Sequence, residues 1–437
     1  MGAGGLGLER ERSAGRARGG CALLLVLLLL TTVGAAAAGT WWALRDDVPA
    51  STAAEPVVRD GELVDARTGD PWVPHGVVWG SFETACAQGW GYSALDTLAD
   101  PGRAGGEGGG GVGDAGEDER EAAAAAQADV LATWAVDTVR LPLNQDCWLG
   151  TRGAPVSDDF AARTPAGYRA AVDAFVEALN ARGMVVVLTL HSRKRIGSPE
   201  AGSLAMPDSE SLAFWRAVAA RYAERPSVLF EAFHEPHSRE DAAGRRVLDL
   251  DWACWRDGGC RAPVEDDGVP VEAGGPTYDA QGMADVVAAI RRAGADQPVL
   301  LPGPDRARDL SAWRQWAPDD DQLVATVHVG SPATTAGTRG AASDEPGCGP
   351  ACWREVLAPL ADQVPLLTTE LGPGEQLPGT AALHLRWAAD HGVGVLTRSW
   401  VERPGDPEAL VEDLSGRPTA WGDLVRSWLR EAASRRL

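Results

Sequence analysis

The chain has 437 residues, 45% of them apolar and 23% charged, and a formal charge of −22. That composition argues for a folded protein with a substantial core and against a disordered chain. The acidic balance argues against nucleic-acid binding, which depends on lysines and arginines that neutralise phosphates; Lys194 is the sole lysine, so amine chemistry has almost no candidate.

Residues 1–20 are basic and precede an apolar run, residues 21–44, that contains LLLVLLLL and VGAAAAG. About 20 apolar residues suffice to cross a bilayer, and basic residues before them predict a cytoplasmic N-terminus. The segment reads as a transmembrane anchor or as a signal peptide cleaved near Ala35–Ala38, and both readings export the rest of the chain. Residues 45–57 read as a linker and residues 58–437 as one folded domain.

That domain alternates short apolar runs with longer amphipathic stretches, the pattern of repeated βα units. Eight strands are expected: Trp72–Trp79, Thr138–Leu143, Met184–His191, Val228–Phe233, Pro298–Pro302, Leu323–Val329, Pro365–Glu370 and Gly394–Trp400. They are rich in Val and Leu and nearly free of charge, as parallel strands buried on both faces should be. Helices are expected from Thr164, with Thr164 as N-cap and Pro165 in the first turn, over Asp208–Tyr222 and over Tyr278–Ile290. The segment Gly102–Gly116 reads as a flexible insertion; no lysine follows it, so it is no phosphate-binding loop. A doubly wound sheet would show the same alternation, but eight units without a G-x-G-x-x-G turn favour a closed α/β fold, the (β/α)₈ TIM barrel.

Six of the seven cysteines follow the apolar run, and an even number in an exported chain suggests disulfides. Cys254 with Cys260 and Cys348 with Cys352 are close enough to clip loops, leaving Cys86 and Cys147 as a third pair. A metal site at Cys348 and Cys352 is the alternative, with loose spacing and no histidine nearby.

Barrels of this kind carry their chemistry where the strands end. The strand ends here supply Trp79 and Glu83, Arg140, His191, His234 with Glu235, His328, Glu370 and Trp400. Glu235 and Glu370 stand out, because cleaving a glycosidic bond requires one group to protonate the departing oxygen and a second to attack or stabilise the anomeric carbon. Taken singly, a glutamate after a strand is more often a charge partner for a helix N-terminus. The 17 tryptophans, against 4 tyrosines and 6 phenylalanines, are a weaker pointer to a carbohydrate cleft. Trp148 is the first candidate to line it, followed by Trp90, Trp252, Trp255 and Trp353, with ordinary packing as the competing reading.

FHEPH at Phe233–His237 resembles the N-E-P-H motif of glycoside hydrolase family 5, the cellulase-like family of clan A. GVVWGSFET at Gly76–Thr84, VRLPL at Val139–Leu143, LTLH at Leu188–His191, ATVH at Ala325–His328, TTELG at Thr368–Gly372 and Trp400 follow in the family's order, across residues 57–430. The resemblance implies an eight-stranded barrel without metal or organic cofactor that cleaves a β-glycoside of an oligo- or polysaccharide by retaining double displacement. Glu235 would be the acid/base and Glu370 the nucleophile, with Arg140 keeping Glu370 ionised. His191 and His328 would bind sugar hydroxyls or orient the carboxylates, and Trp400 would offer a face to a sugar ring. A monomer is the default.

Two positions leave the family pattern. His234 stands where the family has an asparagine that bonds the 2-hydroxyl of the reacting sugar, and Gly330 stands near where a strand-6 tyrosine contacts the nucleophile. Three readings follow: an enzyme with altered substrate preference, a catalytically impaired barrel that binds glycan at the cell surface, or a structural envelope protein.

Overall fold

A computed structural model describes Met1 and residues 52–96, 117–156, 163–330, 348–373, 378–401 and 406–435. The apolar run of residues 21–44 and the whole of the glycine-rich insertion Gly102–Gly116 lie outside them. Among the described residues, no helix is long and apolar enough to cross a membrane.

Eight parallel strands close on themselves: β1 (His75–Trp79), β2 (Thr138–Asn144), β3 (Val185–Lys194), β4 (Val228–Glu231), β5 (Val299–Pro302), β6 (Leu323–Val329), β7 (Leu366–Leu371) and β8 (Gly394–Trp400). Each pairs with the next, and β8 returns to β1 through Val395 opposite His75 and Thr397 opposite Val77. All eight lie where the apolar runs put them. Around them run α1 (Glu117–Thr133), α2 (Pro165–Asn180), α3 (Ser209–Tyr222), α4 (Met283–Arg292), α5 (Trp313–Trp316), the helical run α6 (Pro350–Cys352, Trp353–Leu357 and Ala358–Ala361), α7 (Pro378–Asp390) and α8 (Ala420–Ser434). The result is the expected (β/α)₈ barrel.

Strand alternation divides the core in two. Val78, Val185, Val187, Leu229, Leu300, Val324, Leu367 and Leu396 fill the barrel interior, while their neighbours Val77, Val186, Val228, Phe230, Val299, Leu301, Leu366 and Val395 face the helices. The interior is closed below by Leu63, from the hairpin of Pro56–Arg59 and Glu62–Asp65, and by Ala53 and Trp72, which flank that hairpin. Val58 holds that hairpin in place: its N–H donates to Gln322 Oε1 (2.8 Å) and its carbonyl accepts from Gln322 Nε2 (3.1 Å). Strands β1 and β2 approach closely at Gly76, where a Cβ would stand 1.8 Å from the Thr138 carbonyl oxygen, so only glycine is accommodated.

Helix caps follow the sequence. Thr164 accepts from the Gly167 N–H at 3.0 Å with Pro165 opening α2, and Asp208 accepts from the Ser211 N–H at 2.8 Å at the start of α3. The helix expected from Tyr278 begins instead at Met283, because Thr277–Asp279 pairs with Arg261–Pro263 and the Tyr278 hydroxyl donates to the Met206 carbonyl at 2.5 Å. Tyr278 is thus a loop anchor.

The six cysteines pair as expected: Cys86 with Cys147, Cys254 with Cys260 and Cys348 with Cys352. The first spans 61 residues and ties the loop after β1 to the loop after β2. In the chain-entropy account, releasing a loop of that length costs about 4 kcal/mol. The double substitution Cys86→Ser and Cys147→Ser should therefore lower the free energy of unfolding by about that amount, read from denaturant melts; a loss below about 1 kcal/mol would contradict it.

Candidate active site

Strand alternation also decides which polar side chains reach the mouth of the barrel. Arg140 on β2, Thr189 and His191 on β3 and His328 on β6 continue the inward rows, as does Glu231, two residues beyond Leu229 on β4. Glu370 does not follow so simply. Its neighbour Thr368 faces outward, the hydroxyl 2.8 Å from His384 on α7, and plain alternation would send Glu370 the same way. Instead Val327 pairs with Thr368 and His328 with Glu370, which leaves Thr369 as an extra residue in a bulge. The bulge turns Glu370 into the lumen beside His328.

A second bulge has the opposite effect. Thr397 pairs with Val77 and Trp400 with Trp79, so three residues of β8 span two of β1. Arg398 keeps the inward direction of Leu396, and Trp400 is rotated into the helix layer. It is wholly buried there, edge-on to Trp134 at 4.7 Å, and offers no face to a sugar. Trp148 fails as a platform too. It sits in the helical turn Gln145–Leu149, 1% exposed, packed between Tyr168 and Phe214 beside the disulfide-bonded Cys147. Trp255 and Trp353 are likewise buried, and Trp90 is exposed.

The remaining predicted residues converge. The Arg140 side chain, fully buried, donates through Nε to Glu231 Oε2 (2.5 Å) and through Nη1 to Glu370 Oε1 (2.6 Å). Glu231 also accepts from the Thr189 hydroxyl at 2.8 Å. Arg398 holds the other oxygen of Glu370 (Nη1 to Oε2, 2.7 Å) and reaches Glu408 with Nη2 (2.7 Å). A guanidinium from β8 thus contacts the nucleophile candidate where the resemblance expected a tyrosine near Gly330.

Glu235 is held differently. Its backbone lies in the left-handed region (φ 51°), which a non-glycine residue adopts only under constraint. Nδ1 of His237 donates to its carbonyl oxygen at 2.7 Å, and the Arg306 N–H donates to the next carbonyl, Pro236, at 3.0 Å. Arg306 comes from a turn after β5 in which Asp305, Arg306 and Ala307 all have positive φ. Its guanidinium lies 3.6 Å from Glu235 Oε2 and is paired with Asp267 at 2.6 Å. His328 Nδ1 lies 2.9 Å from Glu235 Oε1 and 3.9 Å from Glu370 Oε2. His234 stands between the same carboxylates, 3.8 Å from Glu235 and 3.7 Å from Glu370, stacked on His191 with ring centroids 3.8 Å apart.

Burial would push the Glu370 carboxyl up, but His328, Arg398, Arg140 and His234 hold it well below the usual carboxylate range. Burial also acts on Glu235, where His234 and His328 outweigh it and draw the carboxyl down. The sources differ in kind: imidazoles can lose their charge, whereas guanidiniums cannot. Burial pulls His234 down to about 4 and His191 well below its ordinary value, so both are neutral near pH 7. Two permanent charges, Arg140 and Arg398, restrain Glu370, and Arg306 stands beside Glu235, so both carboxyls lie below the ordinary range. Two sets of donors also come within 4.8 Å of one another: His191, His234 and Glu370, and His234, Glu235 and His328.

Sequence reading missed Glu231, Arg398, Arg306, Asp267 and Glu408. The first two were accessible by counting in twos from Leu229 and Leu396. The others lie on loops, where no periodicity marks them.

Two glutamates at neighbouring points on the mouth of a (β/α)₈ barrel are the equipment of a glycoside hydrolase. The sequence profile of Cellulase (glycosyl hydrolase family 5) matches residues 110–400, and the chain belongs to that family. Among solved structures, it is similar to a β-glucanase from Saccharophagus degradans, with 18% identity, a TM-score of 0.56, and coverage of 90% of this chain and 99% of that one. It is similar also to the catalytic domain of an endoglucanase from Thermobifida fusca, with 16% identity, a TM-score of 0.50 and coverage of 86% and 97%. None of the functionally curated proteins matches the sequence.

The depressed His234 gives a pH prediction. Between about pH 6.5 and pH 4 the unfolded imidazole binds a proton that the folded one refuses. Stability present above about pH 6.5 is lost as pH falls toward 4 and levels off below. His234→Asn should make that decline shallower, by at most about 3 kcal/mol, in urea melts at pH 7 and pH 4.5; parallel declines would contradict the assignment.

Proposed function

We propose that the chain is a retaining glycoside hydrolase that cleaves β-glycosidic bonds of an oligo- or polysaccharide, endoglucanase-like or a related β-glycosidase. The observation that carries this reading is the shared imidazole nitrogen of His328. Because it lies 2.9 Å from one carboxylate and 3.9 Å from the other, their nearest oxygens are no more than about 6.8 Å apart. That bound accommodates the roughly 5–5.5 Å of a retaining pair and excludes most of the roughly 6.5–9.5 Å range of an inverting one. Glu370, kept ionised by Arg140 and Arg398, attacks the anomeric carbon while Glu235 gives its proton to the departing oxygen. Glu235 then takes a proton from the water that releases the sugar from Glu370. His191 and His234 face the sugar hydroxyls. The Saccharophagus degradans β-glucanase was also crystallised with cellotetraose, which supports a β-glucan as substrate.

A specific feature favours a second reading, a catalytically impaired barrel that binds glycan. Glu370 already donates electron density to two guanidiniums, which lowers its nucleophilicity, and His234 replaces the family's asparagine beside the acid. In both readings the domain is exported, anchored or secreted through residues 21–44, and monomeric; three disulfides support the oxidising compartment.

Aryl β-glycosides and β-glucans separate the readings. Glu370→Gln should abolish turnover of every substrate. Glu235→Gln should lower turnover of β-glucan by about 10²–10⁴-fold yet spare the first step on a glycoside whose leaving group needs no proton. Turnover that survives both substitutions would sink the mechanism, and glycan binding without turnover by the unmodified protein would establish the second reading. Arg398→Leu removes a charge that lowers the Glu370 pKa, so the acidic limb of kcat/KM should move to higher pH; an unmoved limb would remove Arg398 from the mechanism.

A further inference from the structure

The histidines at the barrel mouth have more coordinating capacity than their hydrogen bonds use. Four of the seven in the chain, His191, His234, His237 and His328, lie within this one region. His328 is 2% exposed and its Nε2 has no hydrogen-bond partner; His234 is 9% exposed and its Nδ1 has none. Around Glu235, His328 Nδ1 lies 2.9 Å from Oε1 and His234 Nε2 lies 3.8 Å from Oε2, and donor atoms of all three residues fall within 4.8 Å of one another. A tetrahedral zinc ion with bonds of about 2.0–2.2 Å has ligand-to-ligand edges of about 3.3–3.6 Å. The two separations, each to a different Glu235 oxygen, lie on either side of that range, and no pair of the donor atoms is further apart than 4.8 Å, so side-chain rotations that move them by on the order of an ångström would seat an ion.

We infer that His234, His328 and Glu235 form a binding site for a divalent transition metal of the zinc class, with two imidazoles, one carboxylate and a fourth position open to the cleft. The donor set is the one such ions prefer. Coordination through His328 Nδ1 requires the imidazole proton to sit on Nε2, where no partner competes for it. The nearby Arg306 charge is offset by Asp267 at 2.6 Å. The other trio, His191, His234 and Glu370, is the poorer host, because both Glu370 oxygens are committed to Arg140 and Arg398.

His234 is the residue by which this chain departs from its family's motif, and the amide of an asparagine would supply no comparable ligand. An ion held there occupies the carboxylate that the proposed hydrolysis needs for proton transfer, so binding would switch hydrolysis off and a chelator would restore it. The binding itself does not depend on the barrel being an active enzyme.

The test uses the full-length protein without a histidine tag, in chelator-free buffer at pH 7.5. Zn²⁺ binding is measured by calorimetry and Co²⁺ binding by its visible absorption. One equivalent should bind, with Co²⁺ giving the intense bands of a four-coordinate ion. His234→Asn and His328→Ala should each weaken Zn²⁺ binding at least about tenfold, the scale of losing even an outer-shell partner, while His191→Ala leaves it unchanged. Thermal melts without metal check that each variant is folded, and His234→Asn restores the family's own residue. Absence of stoichiometric binding to the unmodified protein, undiminished binding to folded His234→Asn, or loss on His191→Ala with retention on His328→Ala would each overturn the assignment.

Discussion

The buried guanidinium of Arg140 is the interaction on which the upper half of the barrel depends. It lies above the aliphatic interior layer, fully enclosed, and joins Glu231 on β4 to Glu370 on β7. Three strands are thereby fixed to one planar group whose donors are set at defined angles. Removing either carboxylate would leave charge uncompensated in an apolar surround, so the triad constrains all its members at once. Because Arg140 takes one oxygen of Glu370 and Arg398 takes the other, the orientation of that carboxylate is determined from both sides.

Around this fixed side of the mouth, the other side is adaptable. Glu235 has imidazoles at its oxygens and a guanidinium only at 3.6 Å. One carboxylate is thus clamped by guanidiniums at both oxygens, and the other is held mainly by imidazoles. His234, stacked on His191 and equidistant from the two glutamates, couples the two sides.

Much of this was legible in the sequence, for a definite reason. Apolar runs at regular intervals marked all eight strands, since strands buried on both faces tolerate little else. The same period of two that separates Leu229 from Phe230 puts Arg140, His191 and His328 in the lumen. Legibility ended where pairing became irregular. The bulge at Thr369 brings Glu370 inward and the one before Trp400 carries that ring outward, yet neither leaves a mark in composition. A family pattern put both Glu370 and Trp400 at the barrel mouth, but the structure has only Glu370 there, since a pattern transmits position along a strand and not the local rotation of the strand. Trp148 was misjudged for a related reason: its neighbour Cys147 and the helix faces of Tyr168 and Phe214 enclose it, which is a tertiary fact.

The backbone of Glu235 has a wider consequence. Its left-handed conformation is maintained by His237 from its own motif and by Arg306 from the turn after β5, itself steadied by Asp267. The FHEPH segment is thus not a self-sufficient cassette. Transplanted into another barrel without the Asp267 and Arg306 loops, it would carry the right letters with the wrong posture, and kinship in this region is better judged by whether those distant loops are retained than by the motif itself.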